Sequence, residues 1–161
     1  MSREAERRAD HKKTTMETTK GKITPEYVQK CKEQWLALSE RVRGVLLGTV
    51  LGDSYVGMGG RNAYVEFRHS KTQEEYFKYK RDILRPEISV NKTNEADNKD
   101  SALRKANTEG GEHGTYKWHY KSQTLPALTY LYALTHEGAG KAKIVKRSTL
   151  NQLTPLSLAV L

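Results

Sequence analysis

The run Leu46-Leu47-Gly48-Thr49-Val50-Leu51-Gly52-Asp53-Ser54 is apolar, carries two glycines four residues apart and ends in one acid. Read as a helix, glycines at i and i+4 fall on the same face. Each costs roughly 1 kcal/mol relative to alanine in a helix interior. A pair on one face therefore asks for a packing reason, and without side chains there another helix can approach the backbone closely. Asp53 follows where the helix dipole is already negative, so its charge adds to an unfavourable field until a cation arrives. The run reads as a tight helix–helix interface, with Leu46, Gly48, Val50 and Gly52 assigned to it, that delivers a carboxylate to a metal. The plainer reading is ordinary core packing followed by a solvated acid. The uncharged stretch 44–52 falls far short of the ~20 apolar residues a membrane span needs, so no membrane partner is expected.

The rest of the chain narrows the choice. Its 161 residues suit one domain with one core. With 28 Lys+Arg against 19 Asp+Glu, a net charge of +9, the chain favours a polyanionic partner. Cys31, the single cysteine, excludes an internal disulfide framework and a cysteine-based zinc motif. His113 and His119 lack a third ligand at zinc spacing. Residues 1–22 are charged, Thr-rich and without an apolar core, so they read as a disordered basic tail rather than a signal peptide. The domain proper is then 23–161, in an intracellular, reducing setting.

Periodicity organises that domain. Thr24-Pro25 opens a helix, with Thr24 as N-cap, and Val28, Cys31, Trp35 and Leu38 mark its apolar face. Ser39 caps a second helix reaching Asp53, and spacing leaves open whether the two are continuous. Residues 54–58 and 64–69 read as strands, with Gly59-Gly60 as the hairpin turn. A helix over 71–84 follows, ended by Arg85-Pro86. Residues 90–101 read as a loop. A weak strand over 102–106, a Gly-rich turn over 107–114 and a strong strand over 115–123 make a second hairpin. Thr124 caps a last helix with Pro126 in its first turn, stopped near Gly138 and Gly140. The order is α+β with one antiparallel sheet.

Alternation divides the strong strands. Tyr116, Trp118 and Tyr120 share one face; Lys117, His119 and Lys121 share the other. The aromatics suit the core. The basic face suits phosphates or base edges, because an antiparallel ribbon fits the DNA major groove. Arg61, Arg68, Lys117, His119 and Lys121 are the candidate DNA-binding residues. An ordinary solvated sheet face is the alternative.

These residues together resemble a known family. Leu46 to Ser54 resembles the LAGLIDADG motif, with Gly48 at an interface-glycine position and Asp53 at the acidic position. Residues 64–71, Tyr-Val-Glu-Phe-Arg-His-Ser-Lys, and the aromatic helix after them resemble the family's strand-to-helix segment. Residues 151–159, Asn-Gln-Leu-Thr-Pro-Leu-Ser-Leu-Ala, resemble the lead-in to the second motif of two-motif LAGLIDADG homing endonucleases. The similarity covers residues 39–161.

The resemblance implies an αββαββα half domain with an antiparallel DNA-binding sheet. It also implies two motif helices that each present one acid to the scissile phosphates. Converging carboxylates repel unless cations neutralise them, and hard oxygen ligands suit Mg²⁺. The family places a basic residue ahead of the second motif, where this chain reads Lys141-Ala142-Lys143-Ile144-Val145. Lys141 and Lys143 are both candidates for it, since Ala142 aligns with the family lysine and Val145 with its proline; a plain basic loop is the alternative.

By the family pattern a second acid falls about four residues beyond Leu161. The chain thus reads as one full motif at 46–54 and the opening of a second. A split enzyme completed by a separate C-terminal half, a remnant, and a homodimer pairing two copies of Asp53 all fit. The implied activity is intron-encoded-type homing: Mg²⁺-dependent double-strand cutting of a long DNA target. An intron RNA maturase and a noncatalytic DNA-binding protein are the other readings. The resemblance further implies a mitochondrial or chloroplast setting in a eukaryote.

Overall fold

The computed structural model describes residues 24–89, 116–137 and 142–161, with backbone alone for Ser101–Lys105 and Tyr116. The basic tail, the 90–100 loop, the 107–114 turn, His113, Gly138, Gly140 and Lys141 lie outside the described residues.

Two helices come first among the described residues, α1 (Pro25–Ala37) and α2 (Glu40–Leu51). They are separate, because Leu38 is extended at ψ 148° and Ser39 caps α2 by accepting from the Val42 N–H. The first hairpin, β1 (Tyr55–Gly59) and β2 (Asn62–Ser70), follows directly. Its turn is Gly60-Arg61 rather than Gly59-Gly60, since Gly59 still pairs with Asn62. Gly60 has φ +81°, open to glycine at little cost.

A 3₁₀ turn at Lys71–Gln73 leads into α3 (Glu74–Ile88). This helix does not stop at Arg85-Pro86; it carries Pro86 within it and ends one turn later. The reason is burial: Ile88 is fully buried, and Ser89 beyond it bonds the Tyr120 hydroxyl at 2.7 Å. Strands β3 (Ser101–Lys105) and β4 (Tyr116–Lys121) complete a sheet of order β1-β2-β4-β3, antiparallel throughout.

Next comes α4 (Pro126–Thr135), then a short ribbon absent from the expectations, β5 (His136–Glu137) with β6 (Ala142–Lys143). Two short helices, α5 (Arg147–Leu150) and α6 (Pro155–Val160), close the chain, and Thr154 and Ser157 form a capping box on α6.

The core lies between the sheet and the helices. Val56, Ala63, Val65, Phe67 and Tyr120 project from the sheet to meet Trp35, Val45, Leu46, Val50, Phe77, Leu84, Leu128 and Leu131. Phe67 stacks on Tyr120 at 4.9 Å and meets Phe77 edge-on at 5.6 Å. The alternation read from β2 and β4 holds, with Trp118 packed against the core and Lys117, His119 and Lys121 on the other face.

Candidate active site and nucleic-acid face

The glycine stripe of α2 meets α6. A Cβ on Gly48 would collide with the Ser157 carbonyl and stand 2.5 Å from Val160 Cγ2. One on Gly52 would stand 2.5 Å from the Leu161 carbonyl oxygen, and one on Gly44 2.8 Å from Thr154 Oγ1. The close approach demanded by the glycines is made within the chain, by the segment that resembles the second-motif lead-in. Two interface assignments are corrected. Leu46 and Val50 are fully buried in the hydrophobic core, two residues out of phase with the glycines on a 3.6-residue helix. The glycine face is also no exposed apolar patch awaiting a second copy.

Asp53 is exposed just past the C-terminus of α2. The Gly52 N–H caps the helix on the Gly48 carbonyl, and the Ser54 N–H returns to the Thr49 carbonyl at 3.1 Å. These bonds fix the loop on both sides of the acid. Lys143, on β6, donates from Nζ to the Gly52 carbonyl at 3.2 Å and to the Ser54 carbonyl at 3.0 Å. Burial pulls the Lys143 amine below its ordinary range, against the field of Asp53. Pairing of β5 with β6 carries Lys143 to the site.

Four side chains near Asp53 escaped the sequence reading as site residues. Lys80 on α3 is fully buried, with Nζ 4.4 Å from the Phe67 ring centre and 4.9 Å from that of Tyr76. Burial lowers its pKa to about 8, opposed by Asp53. His69 on β2 is buried with its ring 5.1 Å from that of Tyr76. Desolvation and then Lys80 lower its pKa, while Asp53 acts in the opposite direction. The Tyr76 hydroxyl donates to the Val160 carbonyl at 3.0 Å, tying α3 to the end of α6. Ser54 Oγ is buried without a hydrogen-bond partner among the described residues. The usable signal was a histidine and a lysine on otherwise apolar faces; Lys80 reads as an amphipathic stem when only helical period is considered.

The outer sheet face holds the candidate DNA-binding residues in a more constrained state than expected. Arg68 and Lys121 are exposed, but Lys121 Nζ lies 4.1 Å from the Tyr64 ring centre. Arg61 is exposed at the hairpin tip with its guanidinium 4.0 Å over Tyr27. Lys117 is half-buried, opposite Ser70. His119 is corrected most: it is 7% exposed, with Nε2 2.7 Å from Glu66 Oε1, to which Arg68 also donates at 2.8 Å. Burial acts to raise the Glu66 pKa, but the bonds from His119 and Arg68 outweigh it and hold the carboxyl below its ordinary range.

The donor set suits a hard cation shared with a substrate. Asp53 offers one carboxylate, and the carbonyl-bearing ends of α2 and α6 converge beside it. No cluster of three His, Cys, Asp or Glu capable of holding a metal occurs among the described residues. Mg²⁺ commonly takes one or two carboxylates together with substrate phosphates and water, so Asp53 fits as half of such a site.

A glycine-faced helix pair that sets an acid beside an antiparallel sheet defines a LAGLIDADG-type nuclease fold. The profile of the LAGLIDADG DNA endonuclease family matches residues 43–161, and the chain belongs to that family. Among solved structures, the homing endonuclease I-WcaI bound to its DNA recognition sequence matches with a TM-score of 0.61 at 22% identity. The match covers 87% of this chain and 57% of that one, so the chain spans little more than half of that enzyme. No curated protein sequence matches the chain.

Proposed function

We propose that the chain forms the first-motif half of a homing endonuclease that makes double-strand cuts at a long duplex DNA target. The packing of α6 across Gly44, Gly48 and Gly52, with Asp53 exposed at its end, carries this reading. In it, α6 occupies the place of the second motif helix. The remainder of a two-motif enzyme, on the same polypeptide or on a separate chain, supplies the second acid. The homodimer reading is less favoured, because it needs the glycine face that α6 covers.

The residues divide the work. Asp53 binds a divalent cation, preferably Mg²⁺, which when bound supplies charge neutralisation at the scissile phosphate and an activated water. Lys143 holds the Asp53 loop and places a positive charge at its rim. The outer face, through Arg61, Arg68, Lys117 and Lys121, meets the duplex. His119 acts there through Glu66 rather than by direct contact.

The test is selection from random duplex DNA in Ca²⁺, followed by sequencing of the bound pool, then cleavage of selected sites in Mg²⁺ with the completing half added. Enrichment of a long site is expected. An Asp53→Asn protein should bind the same pool and cut nothing. No enrichment, or undiminished cutting by Asp53→Asn, overturns the reading.

A further inference from the structure

Lys80 presents a problem that the proposed function does not solve. Lysine is almost never fully buried unless paired, yet Lys80 is 0% exposed and its Nζ has no hydrogen-bond partner among the described residues. The acids on its own helix are engaged elsewhere. Glu74 and Glu75 pair with Lys78, Asp82 with Arg81, and Glu87 accepts from the Ser39 N–H. Glu66 on the sheet is taken by Arg68 and His119.

Among the described residues, geometry leads from Lys80 toward Asp53. The ammonium lies against Phe67 and Tyr76; the Tyr76 hydroxyl bonds the Val160 carbonyl; and the next carbonyl, Leu161, abuts Gly52 beside Asp53. His69 Nε2, Ser54 Oγ and Thr49 Oγ1 are likewise buried and lack hydrogen-bond partners among the described residues. The field of Asp53 reaches both Lys80 and His69, so the fixed positive charge among these unsatisfied groups is the lysine.

We propose that Lys80 is a positioning residue for Asp53, a buried ammonium that serves as the internal counter-charge of the carboxylate until a divalent cation and a phosphate group arrive. Only the last clause rests on the endonuclease reading. A buried charge kept without a hydrogen bond weakens the fold, and replacement by an apolar side chain of similar volume is often stabilising. A buried lysine of this kind fits a residue that serves function at the expense of stability.

The test is a double-mutant cycle on the full chain by urea unfolding at pH 7, with Lys80→Met, Asp53→Asn and the pair. With Lys80 present, Asp53→Asn should raise the unfolding constant about fivefold; in the Lys80→Met background it should raise it less than about twofold. A lysine with a purely structural role would give effects that multiply independently, and that result overturns the proposal. As a second readout, Ca²⁺ should shift the melting temperature of the Lys80→Met protein at about fivefold lower concentration than wild type, because no internal cation competes. An unchanged Ca²⁺ response overturns it too. Cutting by Asp53→Asn would defeat the endonuclease assignment of Asp53 and leave the folding cycle intact, so the two failures are distinguishable.

Discussion

Lys143 reaches around Asp53 from both sides, its Nζ bonded to the carbonyl before the acid, on Gly52, and to the carbonyl after it, on Ser54. An ammonium anchored this way holds the loop through its backbone and leaves the carboxylate free for other partners. Lys143→Met should lower stability by about 1 kcal/mol, at the low end for charge-assisted bonds because the residue is exposed. Cleavage should fall far more than DNA affinity. Parallel urea melts and binding isotherms check this; equal losses in binding and cutting would reduce Lys143 to a DNA contact.

Gly48 and Gly60 should fail for different reasons. At Gly48 an added methyl meets the Ser157 carbonyl and the Val160 side chain. Gly48→Ala should therefore cost about 1–3 kcal/mol from overpacking, despite the better helix propensity of alanine. At Gly60 nothing lies within 4 Å of the new methyl, but φ is +81°. Gly60→Ala should cost about 1 kcal/mol from backbone strain alone. Thermal melts check both, and only the Gly48 variant should also loosen α6, read by hydrogen exchange at Ser157 and Val160.

The pH dependence of stability follows from Lys80. Its folded pKa of about 8 lies below its ordinary 10.5, so the unfolded chain binds more protons between those values. Stability is therefore greatest above the unfolded pKa and is lost as pH falls through the folded one. From pH 8 to 9.5 wild type should gain about 1–2 kcal/mol. Lys80→Met should lose most of that gain, keeping only the rise that Lys143, its amine also lowered by burial, contributes. The comparison is made below pH 10 because Tyr76, raised by burial and then by the field of Asp53, pulls the opposite way once tyrosines ionise. Equal slopes in the two proteins would contradict the burial of a charged amine.

Glu66 sits opposite Tyr55 on one side and Lys121 on the other, near the middle of the basic face. It holds Arg68 and His119 together. Glu66→Gln should release both side chains, raise nonspecific DNA affinity several-fold at low salt and steepen its salt dependence by about one phosphate contact. Salt titration of binding to an unrelated duplex measures this. Unchanged affinity would show that the carboxylate does not restrain the face.

Local chemistry made much of the molecule readable. The N-caps Thr24 and Ser39 each accept from a backbone N–H of their helix, because a cap is decided within four residues; Thr124 does not cap α4, whose N-cap is Leu125 without a side-chain bond. Alternation placed Val65, Phe67 and Tyr120 inward for the same reason. Where the reading failed, the deciding partner was distant. Pro86 did not end α3, since the core at Ile88 and the Ser89–Tyr120 hydrogen bond favoured another turn. His119 shared a face with Lys117 and Lys121 but was claimed by Glu66 across the strand pair.

From the sequence alone came the capped helices, the inward and outward faces of the strands, the requirement for a close neighbour at Gly48 and the exposed acid at Asp53. All of these depend on residues within a turn or a strand of one another. Only the tertiary structure identified that neighbour as α6 of the same chain, carried Lys143 across some ninety residues to flank Asp53, and buried Lys80 against Phe67 and Tyr76. Those outcomes depend on which surfaces meet when the helices close on the sheet, and period and propensity carry no information about contacts so far apart in the chain.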